Sequence, residues 1–89
     1  MEEKWAVKVA ASAKNDVRKA LQSSYRESYL AIVAVLKEDP FKPNQFFERL
    51  NPPGDGKYSR RINVQHRVIY TVDKVNRKVR ILAAWSHYG

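Results

Sequence analysis

Eighty-nine residues are enough for one domain with a modest core and too few for two. With no cysteine and only two histidines, disulfides and thiolate zinc sites are excluded, and neither a structural metal nor a cofactor is expected. The formal net charge of +8 is unevenly spread: residues 1–56 carry nine Lys/Arg against eight Asp/Glu, whereas residues 57–89 carry eight Lys/Arg against Asp73 alone. That asymmetry points to an anionic partner, polyphosphate first, because a basic face gains entropy by releasing counterions. An acidic protein segment or a merely solvated surface would fit the same charge. No apolar run approaches the ~20 residues that span a bilayer, and Met1-Glu2-Glu3-Lys4 ahead of strand-like sequence does not read as a signal peptide. A cytoplasmic protein with no membrane association is expected.

Trp5, Val7 and Val9 alternate with polar or small residues, which predicts a first strand over residues 5–9. Ser12 is placed to cap a helix from about Ala13 to Leu21, with Asp16 near the positive end of its dipole and Ala13, Val17, Ala20 and Leu21 facing a core. Ser24 followed by Glu27 has the spacing of a capping box, and Tyr25, Tyr29, Ile32, Val33 and Leu36 form the stripe of a second helix. Asp39-Pro40 ends it, since a residue before proline is pushed out of the helical region.

All four prolines fall between Pro40 and Pro53, and Gly54-Asp55-Gly56 supplies a turn. Inside this irregular stretch, Phe46 to Leu50 reads as a short strand or a helical turn whose aromatics pack down while Glu48 points outward. By default a lone Glu is an ordinary surface carboxylate.

The chain is organised around Tyr58 to Val72. Two runs rich in β-branched and aromatic residues flank a polar break at Asn63 to Gln65, which predicts a hairpin. With Val64 at the centre of the turn, Arg61 lies opposite Arg67 and the two share a face. Val68, Tyr70 and Val72 then face the helices, while Arg67, Ile69 and Thr71 line a basic groove on the other side. Asp73 to Arg77 makes a second turn, and Val79 to Trp85 a last strand. His66 and Trp85 read as packing residues, as do Tyr25 and Tyr29. The expected architecture is α+β, in the order β-α-α-β-β-β, with two helices on one face of an antiparallel sheet.

Cutting RNA through its own 2′-hydroxyl needs a base, a cation for the charge on phosphorus, and an acid for the leaving 5′-oxygen. Histidine suits the acid, with an unperturbed pKa of about 6.5, and arginine's planar fork matches phosphate. Glu48, Arg67 and His87, with Arg61 on the same expected face, can fill these roles. Composition does not single them out, because a base, a cation and an acid occur in most proteins.

Ser59-Arg60-Arg61-Ile62, His66-Arg67, Tyr70, Val72 and the terminal His87-Tyr88 resemble the signature of the YoeB/Txe toxins of the RelE/ParE superfamily. The likeness is strongest from Gly56 to Tyr88, and Pro40-Phe41 and Glu48-x-Leu50 extend it upstream. The resemblance implies a RelE-like fold and a metal-independent mRNA interferase acting at the ribosomal A site. It implies as partners the ribosome and mRNA, a second copy of the chain, and an acidic, partly disordered antitoxin of YefM type, with operator DNA reached only through the antitoxin complex.

Carried over by position, Glu48 matches the general base, Arg67 the arginine on the transition-state phosphate, His87 the general acid, and Tyr88 a substrate-placing residue. Arg61 matches a phosphate contact. Arg60 is grouped with it, although its inward parity implies that it snorkels to an edge or pairs with a carboxylate. Where family members usually show Gly-Lys-Pro-Glu, this chain has Gln45-Phe46-Phe47-Glu48. Leu is usual at Gly54, and Gly89 extends past the terminal Tyr. Two alternatives stay open: a ParE-like poison of DNA gyrase, and a ribosome- or RNA-binding inhibitor without catalysis.

Overall fold

In the computed structural model, residues 4–50 and 56–86 are described. Strand β1 (Ala6–Val9) leads through a 3-10 turn (Ala11–Ala13) into helices α1 (Lys14–Gln22) and α2 (Arg26–Glu38). Strands β2 (Glu48–Arg49), β3 (Lys57–Arg61), β4 (Arg67–Asp73) and β5 (Lys78–Ser86) follow. They form a single sheet in the order β1-β5-β4-β3-β2. Both helices cover one face, as their spacing requires. Ala20, Tyr29, Ile32 and Leu36 meet Tyr58, Val68, Tyr70, Val79 and Ile81 in the buried core, with Val17, Leu21 and Val33 packed against it. No helix among the described residues is long and apolar enough to cross a membrane.

The sheet is mixed, where an antiparallel one was expected, because β1 runs parallel to β5 with Val7 opposite Val79 and Val9 opposite Ile81. Two helices separate β1 from the rest of the sheet, and such a crossover allows a parallel neighbour where a hairpin cannot. The amides of Ala6 and Ala10 donate to the carbonyls of Arg77 and Ile81 and fix that register. Of the stretch from Phe46 to Leu50, Glu48 and Arg49 form the edge strand β2, pairing with Ser59 and Tyr58, while Phe46 belongs to the turn before it.

Neither expected serine cap forms. Ser12 lies within the 3-10 turn, and Ala13 stands at the N-cap of α1 with no side-chain hydrogen bond. At α2 the N-cap is Tyr25, again without one. The junction is held one residue earlier, where the Ser23 hydroxyl donates to the Ala20 carbonyl at 2.8 Å and accepts from the Tyr25 amide at 3.0 Å. One hydroxyl thus satisfies groups on both sides of the break, which a cap at Ser24 would not. The expected stop at Asp39 holds: its backbone is extended, and its carboxylate accepts from the Phe41 amide at 2.9 Å.

The hairpin of β3 and β4 has the expected register, with Arg61 opposite Arg67 and Tyr58 opposite Tyr70. Its turn is closed by Asn63, whose side-chain oxygen accepts from the amides of Gln65 and His66 at 2.7 and 2.8 Å. Between β4 and β5 the register slips twice, bringing Arg67 opposite Ser86. Within the slip between Arg67 and Ile69, Trp85 takes a positive φ of 60°. Its ring stacks on His66 with centroids 3.9 Å apart, and Tyr25 packs against it at 6.3 Å. The Ala84 amide donates at 3.3 Å to the Asp16 carboxylate of α1.

Candidate functional site

The helix-free face of the sheet carries Arg61, Arg67, Ser59 and Glu48 on three adjacent strands, since residues opposite one another in register share a face. Glu48 accepts a hydrogen bond at 3.2 Å from Arg67 Nη1, an ion pair in which the Glu48 side chain is 54% exposed and that of Arg67 19%. Among the described residues, Arg67 alone hydrogen-bonds this carboxylate. Exposed ion pairs contribute only about 0–1 kcal/mol to stability. Such a pair is a functional arrangement more readily than a structural one.

Glu48 reaches this position through the loop before it. The Phe47 amide donates to the Asn44 carbonyl at 3.0 Å, closing a turn whose central residues Gln45 and Phe46 have φ of 56° and 55°. Two successive left-handed residues define a type I′ turn, in which Asn-Gly is preferred. Here neither is glycine, at a cost of roughly 1–2 kcal/mol each. The Arg61 amide holds the turn from β3 by donating to the Gln45 carbonyl at 2.9 Å, while the Arg61 guanidinium lies 4.7 Å above the Phe46 ring.

Arg60 holds the same loop from inside the protein. Its side chain is fully buried. Nε donates to the Tyr70 hydroxyl at 3.0 Å and Nη2 to the carbonyls of Pro40 and Lys42 at 3.0 and 2.9 Å. Nη1 reaches the Asn44 carbonyl at 3.0 Å, Asn44 Oδ1 at 2.8 Å and Gln45 Oε1 at 3.3 Å. Phe47 stacks against the guanidinium at 4.9 Å. This corrects the assignment of Arg60 to phosphate binding, and equally the expected carboxylate partner. A buried cation must be fully hydrogen-bonded, and loop carbonyls meet that need here. Sequence parity pointed Arg60 inward, but its acceptors lie 15–20 residues upstream in an irregular segment, where no periodicity announces them.

The Tyr70 hydroxyl completes the cluster, accepting from Arg60 and donating to the Pro40 carbonyl at 2.7 Å. Burial pushes its pKa up to about 12, with the charge and hydrogen bond of Arg60 acting in the opposite direction.

His87 and Tyr88, the expected acid and substrate-placing residue, lie outside the described residues, as does the expected turn at Gly54 and Asp55. Ser86, the register partner of Arg67, directly precedes His87 in the chain. Phe46, expected to pack down, instead stands 72% exposed beside Arg61, because the left-handed turn at Gln45 and Phe46 directs it outward while Phe47 packs on Tyr58. The departure from the usual Gly-Lys-Pro-Glu run was the signal that marked it. No group of three or more His, Asp or Glu among the described residues is placed to hold a metal ion.

Comparison with solved structures places this fold. A YoeB/ParE toxin from Agrobacterium tumefaciens superposes with a TM-score of 0.81 at 22% identity, over 93% of this chain and 99% of that one. The YoeB dimer from Staphylococcus aureus gives 0.79 at 24% identity, over 96% and 99%. The YoeB–YefM complex from the same organism gives 0.73 at 24% identity, over 94% and 98%. At these identities the likeness shows a shared fold. No curated protein sequence matches. The model of the YoeB-like toxins of bacterial type II toxin-antitoxin systems matches residues 14–88, from the start of α1 through the hairpin that carries Arg61 and Arg67 and past the last strand. With most of its length so matched, the chain belongs to that family.

Proposed function

We propose that this toxin is a metal-independent endoribonuclease that cuts mRNA in the A site of the bacterial ribosome. The observation that carries the reading is the ion pair of Glu48 with Arg67 on the open face of the sheet, with Arg61 opposite Arg67. Glu48 takes the proton of the 2′-hydroxyl, whose oxygen attacks the adjoining phosphorus. Arg67 and Arg61 neutralise charge building on the equatorial oxygens, where bidentate guanidinium geometry is most effective. The bond to the 5′-oxygen breaks as His87 protonates it, leaving a 2′,3′-cyclic phosphate and a free 5′-hydroxyl. Tyr88 helps to place the strand. In the free protein Arg67 engages Glu48, so an incoming phosphate draws the base and the cation to the same reacting nucleotide.

The partner that silences the toxin is an acidic antitoxin segment of YefM type, disordered until it folds over the basic face, as coupled folding allows. The Staphylococcus aureus relative, solved as a YoeB–YefM complex and as a YoeB dimer, supports both this partner and a homodimer. Operator DNA is reached only through the antitoxin complex.

The test is in vitro translation with bacterial ribosomes and mapping of mRNA 5′ ends. Wild type is expected to produce cuts confined to the A-site codon. Glu48→Gln, Arg67→Ala and His87→Ala should each lower cleavage by 10²-fold or more, as general acid-base and electrostatic roles require. The melting temperature of Glu48→Gln should stay near wild type, because its carboxylate is half exposed and such a pair contributes little to stability. Translation arrest without new mRNA ends would establish a non-catalytic inhibitor instead. DNA damage signalling with intact mRNA would establish a gyrase poison.

A further inference from the structure

Two phenylalanines precede Glu48, and the fold treats them in opposite ways. Phe47 turns inward and stacks on Tyr58, with centroids 5.6 Å apart and ring planes 17° from parallel. Phe46 turns outward and keeps 72% of its surface exposed. Its left-handed backbone is clamped on both sides, by the Arg60 hydrogen bonds to Asn44 and Gln45 and by the Arg61 amide on the Gln45 carbonyl. The exposed ring is therefore held in place by the fold. One face is already covered by the Arg61 guanidinium at 4.7 Å, and the high exposure leaves the other to solvent.

We infer that Phe46 is a base-stacking platform, on whose open face lies the nucleobase adjoining the scissile phosphate, completing a stack of Arg61, Phe46 and base. The location supports this. Phe46 is two residues from Glu48 in sequence, and the arginine that covers it stands opposite Arg67 in the sheet. Every base offers a flat π face, and a cation on the far side of the ring favours an anionic strand over an apolar peptide. A single-stranded substrate has such faces free. The inference rests on the RNA-cleaving reading for its substrate, and it concerns how the strand is held, not how it is cut.

The experiment measures binding of the full-length protein to a short 2′-O-methyl oligoadenylate, which cannot be cut, and to an abasic chain of equal length. Phe46→Leu is expected to weaken oligoadenylate binding roughly tenfold and to leave abasic binding unchanged, as loss of one stacked base predicts. Phe46→Trp, which restores an aromatic face, should bind oligoadenylate as wild type does. Equal oligoadenylate affinities for Phe46→Leu and wild type would overturn the inference. So would an equal loss on both chains, which would mark a collapsed loop, or no oligoadenylate binding by wild type. Glu48→Gln separates the two readings: if it cuts mRNA as wild type does while the stacking pattern holds, the catalytic assignment falls and the platform stands.

Discussion

Arg60 and Tyr70 show how much one buried pair of side chains can set. The guanidinium donates to four loop residues, and the phenol takes one more bond from it while donating to Pro40. Arg60→Met would keep the stem's volume but remove every bond the guanidinium donates to the loop and to Tyr70, leaving the carbonyls of Pro40, Lys42 and Asn44 one other donor each and taking Arg60 away from Asn44 Oδ1 and Gln45 Oε1. The expected loss is about 3 kcal/mol or more, read by urea denaturation, with impaired mRNA cleavage because Glu48 follows the same loop. Arg60→Lys should not restore it, since an ammonium has three donors where the guanidinium has five. Tyr70 adds a pH dependence. Its phenol titrates at about 12 in the folded protein against an ordinary value of 10.0. A raised folded pKa means that the unfolded chain loses this proton first. The contribution is therefore fully present below pH 10 and is lost as the pH rises toward 12. Denaturation midpoints across that window should fall for wild type and fall less for Tyr70→Phe.

At the scale of elements, the decisive feature is the pair of register slips between β4 and β5. A bulge leaves backbone groups without their ladder partners and turns the strand. One consequence is the alignment of Ser86 with Arg67, which brings the strand end immediately before His87 beside the site. The Ala84 amide inside the slip is taken up by Asp16 from α1, across 68 residues of sequence. Asp16→Ala is expected to cost about 1–3 kcal/mol, since a partly buried donor loses its acceptor. Asp16→Asn keeps an acceptor oxygen and should recover most of that. Amide exchange at Ala84, slow in wild type and fast in Asp16→Ala, gives the local readout.

For the whole molecule, charge is arranged by face as well as by sequence. Lys8, Arg80, Thr71 and Lys57 stand in one register row across four strands of the helix-free face, with Lys78 in the next row. Lys8, Lys78 and Arg80, with Thr71 and Asp73, line an open depression of about 470 Å³. This row shares its face with Arg61 and Arg67, so the basic surface extends well beyond the site. On the RNA-cleaving reading, affinity for single-stranded RNA should fall with salt, by a slope of about 0.7 per phosphate neutralised on a double-logarithmic plot. Replacing Lys8 and Arg80 with Gln should lower that slope and slow capture, leaving single-turnover cleavage of bound RNA unchanged. An unchanged slope would confine the RNA to the Arg61–Arg67 end.

The sequence by itself determined the features that depend on local periodicity and chemistry. Alternation with a period of two set the face of Arg61 and Arg67, and the polar break around Val64 set their register. The apolar stripes of α1 and α2 and the stop at Asp39 were legible for the same reason: helical spacing and the proline effect act within a few residues. Only the tertiary structure decided matters that join distant segments. The parallel seat of β1, the oxygen cradle of Arg60, the meeting of Glu48 with Arg67 and the capture of the Ala84 amide by Asp16 all link residues 15 to 72 positions apart. Such pairings are selected by which buried donors and acceptors must be satisfied once the core has closed, and no local pattern encodes them.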